Sequence, residues 1–146
     1  MSIDKAKIHD AARKYVERGA FDRAVSEYER ILSADPTDAR IWMELARVHQ
    51  KRDTIPEALR GFHRAAELYS KQGFSDKAVA VYKQILAVDS ENLQALSGLA
   101  VLYERLGLAR NAVASYEQIA AAYARRGDMP KAVDALGAMV RIEPDS

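Results

Sequence analysis

Apolar residues recur at helical spacing along nearly the whole chain. Ile8, Ala11, Ala12 and Tyr15 form an i, i+3, i+4, i+7 stripe that stops at Gly19, where a left-handed turn suits a helix end. Ala24, Tyr28, Ile31 and Leu32 form the next stripe, closed by Asp35-Pro36, and Trp42, Leu45, Ala46 and His49 open a third. Thr54-Ile55-Pro56-Glu57 has the form of a capping box, Thr54 accepting from the backbone and Glu57 reaching back. No segment alternates with period two, so no strand is expected. The spacing predicts eight helices, over residues 4–18, 21–34, 39–52, 55–72, 75–88, 93–106, 109–126 and 129–142.

One phrase recurs between these helices. It reads Arg18-Gly19-Ala20-Phe21-Asp22-Arg23-Ala24-Val25, then Gln72-Gly73-Phe74-Ser75-Asp76-Lys77-Ala78-Val79, then Arg126-Gly127-Asp128-Met129-Pro130-Lys131-Ala132-Val133. A looser copy surrounds Gly107. Each is a helix end, a Gly turn and a helix start. Self-similarity at a fixed period marks a repeat array, whose extended surface binds other proteins rather than catalysing reactions.

These residues resemble the tetratricopeptide repeat, a helical hairpin with small and large apolar residues at set places. Residues 5–38 match through Ile8, Ala11, Ala12, Tyr15, Gly19, Ala24, Tyr28 and Pro36; residues 39–72 match through Trp42, Leu45, Ala46, Ala58, Phe62 and Ala65. The second copy departs at His49, at Asp53 in place of Gly, and at Ser70 in place of Pro. Helix 55–72 also fits the first-helix pattern of a following repeat, through Phe62, Ala65, Ala66, Tyr69 and Gly73, and helix 109–126 repeats that overlap. The expectation is an all-α solenoid of about eight antiparallel helices. It forms one domain over 1–146, with an ordinary repeat at 5–38 and three-helix units with shared helices at 39–92 and 93–146. Alanines at 11, 12, 46, 66, 100 and 120 let helix axes approach, while Tyr, Phe, Leu and Ile fill the gaps.

Composition narrows the function. Of 146 residues, 49% are hydrophobic, so bulk disorder is not expected. Twenty-two basic and 21 acidic residues leave a net charge of +1, evenly spread, with no basic run of the kind nucleic acid requires. No apolar stretch reaches membrane-spanning length, and the polar amino terminus is unlike a signal peptide, so a cytoplasmic protein is expected. The absence of Cys excludes disulfides, thiolate metal sites and a cysteine nucleophile. No nucleophile elbow, phosphate loop or metal-ligand pair stands out, so no enzyme, cofactor or metal is expected.

Binding is therefore argued from the surface. The resemblance implies that the first helices line a concave groove for a partner peptide or helix. Its outward positions fall on His9, Arg13, Arg40, Met43, Arg47, Gln50, Ser97, Val101 and Glu104, with Arg60, His63 and Arg64 from the shared helix. The amino-terminal end of that surface is basic, so an acidic peptide or carboxylate is its natural guest. Chaperone-binding members of the family hold a terminal carboxylate with Lys, Asn and Arg at set positions. Here His9, Arg13 and Glu44 replace the first of these and only Arg60 and Arg64 match in kind, which argues against that clamp.

The final helix carries Val133, Leu136, Met139 and Val140. Such a stripe either continues into further repeats or docks on another protein or a second copy, the latter forming a homo-oligomer edge. The functional expectation is a scaffold or adaptor, resembling bacterial proteins of this family. The alternatives are a self-associating module and a secretion or assembly chaperone.

Overall fold

The computed structural model describes residues 3–144. Met1, Ser2, Asp145 and Ser146, which the one-domain reading includes, lie outside the described residues. Eight helices follow one another: α1 (Lys5–Glu17), α2 (Phe21–Ala34), α3 (Ala39–Lys51), α4 (Ile55–Lys71), α5 (Ser75–Val88), α6 (Leu93–Arg105), α7 (Ala109–Arg125) and α8 (Met129–Ile142). There is no strand among the described residues. Every bound falls within one residue of its predicted position. The starts of α3, α4 and α5 at Ala39, Ile55 and Ser75 recur 54 residues later in α6, α7 and α8 at Leu93, Ala109 and Met129.

Local chemistry sets these ends. Asp4, Asp38, Asn92 and Asp128 each turn a side-chain oxygen onto a backbone N–H of the first turn, satisfying a donor the helix cannot. The predicted capping box at Thr54 does not form. The Thr54 hydroxyl instead donates to the His49 carbonyl at 3.0 Å and accepts from His49 Nδ1 at 2.9 Å, while Glu57 faces Arg60. A threonine hydroxyl reaches either the following N–H groups or the preceding carbonyl, and here the end of α3 takes it. Asp53 stands where the repeat expects Gly and adopts φ +61°, a left-handed conformation glycine accepts without strain.

By its packing the chain divides into two compact units, Met1–Val81 and Tyr82–Ser146. In the first, Ile8 and Ala12 of α1, Ala24, Tyr28, Ile31 and Leu32 of α2, and Ile41, Leu45 and Val48 of α3 form one core. Burying each large aliphatic contributes about 1.5–3 kcal/mol. Gly61 of α4 approaches Ala46 of α3 so closely that a Cβ there would lie 2.9 Å from the Ala46 methyl. Trp42 packs on the edge of the core and donates its indole N–H to the Pro36 carbonyl at 2.9 Å.

In the second unit, Leu96 and Ala100 of α6 pack with Ile119 and Ala120 of α7 and Ala135 of α8. Gly98 leaves room for the Tyr82 ring, whose Cζ is 2.4 Å from where a Cβ would stand.

A clasp recurs at each Gly turn of the 54-residue series. Arg23 lies over the Tyr15 ring at 5.9 Å, Lys77 over Tyr69 at 5.6 Å and Lys131 over Tyr123 at 5.6 Å. Each tyrosine ends one helix and each cation begins the next, so the pair ties the hairpin across its turn.

Candidate functional site

In the first unit, α1, α2 and α3 line an open cleft of about 200 Å³. Arg13, Val16 and Glu17 line it from α1, Tyr28 from α2, and Glu44, Arg47, Val48 and Lys51 from α3. Arg40, Glu44, Arg47 and Lys51 fall on one stripe of α3 because helical neighbours are three or four residues apart. Of the residues predicted from the sequence, this cleft brings together Arg13 and Arg47. Lys51, Val48 and Tyr28 were missed; the i+4 spacing of Lys51 from Arg47 was the signal available for the first.

Charge within the cleft is unevenly committed. His9 Nε2 contacts Glu44 Oε2, and the Tyr28 hydroxyl also hydrogen-bonds to Glu44. Burial, and then the Glu44 carboxylate, push the Tyr28 hydroxyl up to about 12, so it stays protonated and can donate. The His9 and Tyr28 rings stand 6.1 Å apart at 58°. Glu44, one of the residues lining the cleft, is thus held by two partners. Among the described residues, Arg13, Arg40, Arg47 and Lys51 form no ion pair, whereas Arg30, Arg52, Arg60, Arg64, Arg125 and Arg141 all do.

The other predicted residues are placed differently. Met43 and His63 are buried, at 7% and 9% exposure, so the packed interior takes two side chains that the repeat register assigned to the display face. Arg60 and Arg64 face Glu57 and Glu67 one turn away, at 3.4 and 3.6 Å. Gln50 is half-buried and Arg40 exposed. In the second unit Ser97 and Val101 are exposed, and Glu104 accepts from the Arg141 guanidinium at 2.7 Å. On α8, Val133, Leu136 and Val140 are 60%, 48% and 61% exposed, and Met139 is half-buried. No helix among the described residues is long and apolar enough to cross a membrane.

Tandem antiparallel helix pairs with small residues at the crossings and Gly turns between them define an all-α repeat protein of the solenoid class. Two models of the tetratricopeptide repeat match, over residues 8–48 and 63–125, and the chain belongs to that family. It is 34% identical over 99 residues to tetratricopeptide repeat protein 37 of Xenopus laevis, a match covering 58% of this chain and 6% of that much longer protein. It is similar in fold to BtubC (BKLC) from P. vanneervenii, with a TM-score of 0.53 at 18% identity, covering 96% of this chain and 63% of that one. A crystal structure of MamA protein aligns with a TM-score of 0.42 at 18% identity, over 96% and 92% of the two chains.

Proposed function

We propose that this chain is a non-catalytic scaffold or adaptor module of the cytoplasm that holds an acidic segment of a partner protein in the α1–α3 cleft. One observation carries the reading: Arg13, Arg47 and Lys51 open on one cleft without ion-pair partners, and of the two acids that line it Glu44 is held by His9 and Tyr28, which leaves Glu17 alone against three cations. Guanidinium groups left free in this way pair bidentately with carboxylates, and Val16 and Val48 offer an apolar floor beside them. The guest is therefore acidic with an apolar residue next to the charge. Binding needs no reaction, only a preformed surface.

The test is titration of a fluorescein-labelled peptide of alternating Glu and Leu. The wild-type chain binds it with an affinity that falls steeply with salt. The Arg13→Glu, Arg47→Glu double variant binds about tenfold or more weakly, since each replaces an attraction with a repulsion. Undiminished binding by that variant defeats the reading.

The exposed Val133, Leu136 and Val140 favour a second reading, self-association through α8.

A further inference from the structure

We propose that the second unit carries a socket for one unbranched apolar side chain of a partner segment, flanked by a basic residue. The socket is a cleft of about 260 Å³. Its walls are Tyr116, Ile119 and Tyr123 of α7 and Ala135 of α8, with Ser97 of α6 at one side and Lys131 and Asp134 at the rim.

The 54-residue correspondence between helices explains why an opening exists there. Ser97 corresponds to Met43, and Tyr116 to Phe62. In the first unit Met43 is buried and Phe62 wholly so; in the second, Ser97 is exposed and Tyr116 half-buried. One unit thus supplies from its own chain the thioether side chain that the other lacks. Methionine's unbranched stem adapts to irregular apolar walls, so the side chain that fills the place at Met43 indicates the chemistry that fits at Ser97.

The walls are braced rather than free to close. Tyr116 hydrogen-bonds to Glu104 and Arg141, which are themselves paired at 2.7 Å. Tyr123 lies under Lys131, whose ammonium is also 3.8 Å from Asp128. A preformed cleft avoids the ordering cost a collapsed one would impose on binding.

The rim gives the guest its charge. Asp134 corresponds to Ala80, is exposed, and has no ion-pair partner among the described residues. Lys131 is committed to Tyr123 and Asp128. The free charge at the mouth is therefore negative, which favours Lys or Arg beside the inserted side chain. This chemistry is opposite in sign to that of the α1–α3 cleft and does not depend on it.

The experiment uses the full chain and a fluorescein-labelled, end-capped peptide with Lys-Met-Lys flanked by glycines. The Met peptide binds the wild-type chain at least about tenfold more tightly than a peptide with Ser at the centre, the difference expected for burying one such side chain. Tyr116 and Tyr123 ring resonances shift on its addition. Ser97→Met supplies the missing side chain from within: it abolishes that preference and raises the thermal midpoint as the void fills. Asp134→Asn weakens binding and flattens its salt dependence. If Ser97→Met fails to give a helical far-ultraviolet spectrum, Ser97→Gln, whose stem is likewise unbranched, serves the same comparison. Equal binding of the two peptides to the wild type, or none, overturns the socket, as does unchanged Met-peptide binding by the filled variant. Wild-type self-association that Ser97→Met abolishes and the Met peptide fails to compete would assign the socket to a second copy and also overturn the proposal.

Discussion

Gly98 and Gly137 are both helical glycines, and their surroundings give them opposite values. An alanine methyl at 98 would enter the buried Tyr82 ring, whose Cζ lies 2.4 Å from the Cβ position, whereas nothing stands within 4 Å of one at 137. Gly98→Ala should therefore cost about 1–3 kcal/mol by overpacking, and Gly137→Ala should add about 0.5–1 kcal/mol through helix propensity. Urea midpoints of the two variants, moving in opposite directions, check this. A pH effect belongs to His49. Burial, and then the Arg52 charge, hold its imidazole below the ordinary 6.5. The unfolded chain then takes up the proton first, so the contribution is complete above about pH 6.5, declines as pH falls and levels off below the folded value. His49→Gln should remove that part of the pH dependence between pH 7.5 and 5, as read by urea unfolding. At this scale the sequence was legible where a residue has one strong preference, as at the Gly turns and the Asp35-Pro36 step. It misled where a side chain has a choice. The Thr54 hydroxyl took the His49 carbonyl over its own helix, and Met43 turned inward although its repeat position points outward.

Helices were almost fully readable, because Gly19, Gly73, Gly107, Gly127 and the Asp35-Pro36 step punctuate a continuous 3.6-residue pattern. What joins the helices was less so. The Glu44 contacts with His9 and Tyr28 link residues far apart in the chain, and no local spacing announces them. The site was half legible for the same reason: Arg13 and Arg47 followed from repeat position, while the freedom of their charges depends on where Glu44 is held. The turn clasp is also an element-scale device. Lys131→Ala should cost about 0.5–1 kcal/mol, the ordinary value for a cation over an exposed aromatic face, while Lys131→Arg should cost less because the clasp survives. Thermal midpoints of the two variants test the difference.

The two units lead to different expectations for the molecule as a whole. If the α8 stripe drives self-association, the Val133→Glu, Val140→Glu double variant should be monomeric by light scattering at micromolar concentrations where the wild type is not. Acidic-peptide binding in the α1–α3 cleft should be unchanged in the same variant, since that cleft is lined wholly from the first unit. Trp42 gives these experiments an optical handle. It is the single tryptophan of the sequence and lies in the first unit, with its indole N–H held by Pro36. Its emission therefore reports the unfolding of residues up to Val81, while far-ultraviolet circular dichroism reports all eight helices. A substitution confined to the second unit, such as Gly98→Ala, will displace the fluorescence transition only to the extent that the two units melt together. One built-in chromophore thus turns a stability measurement into a measurement of cooperativity.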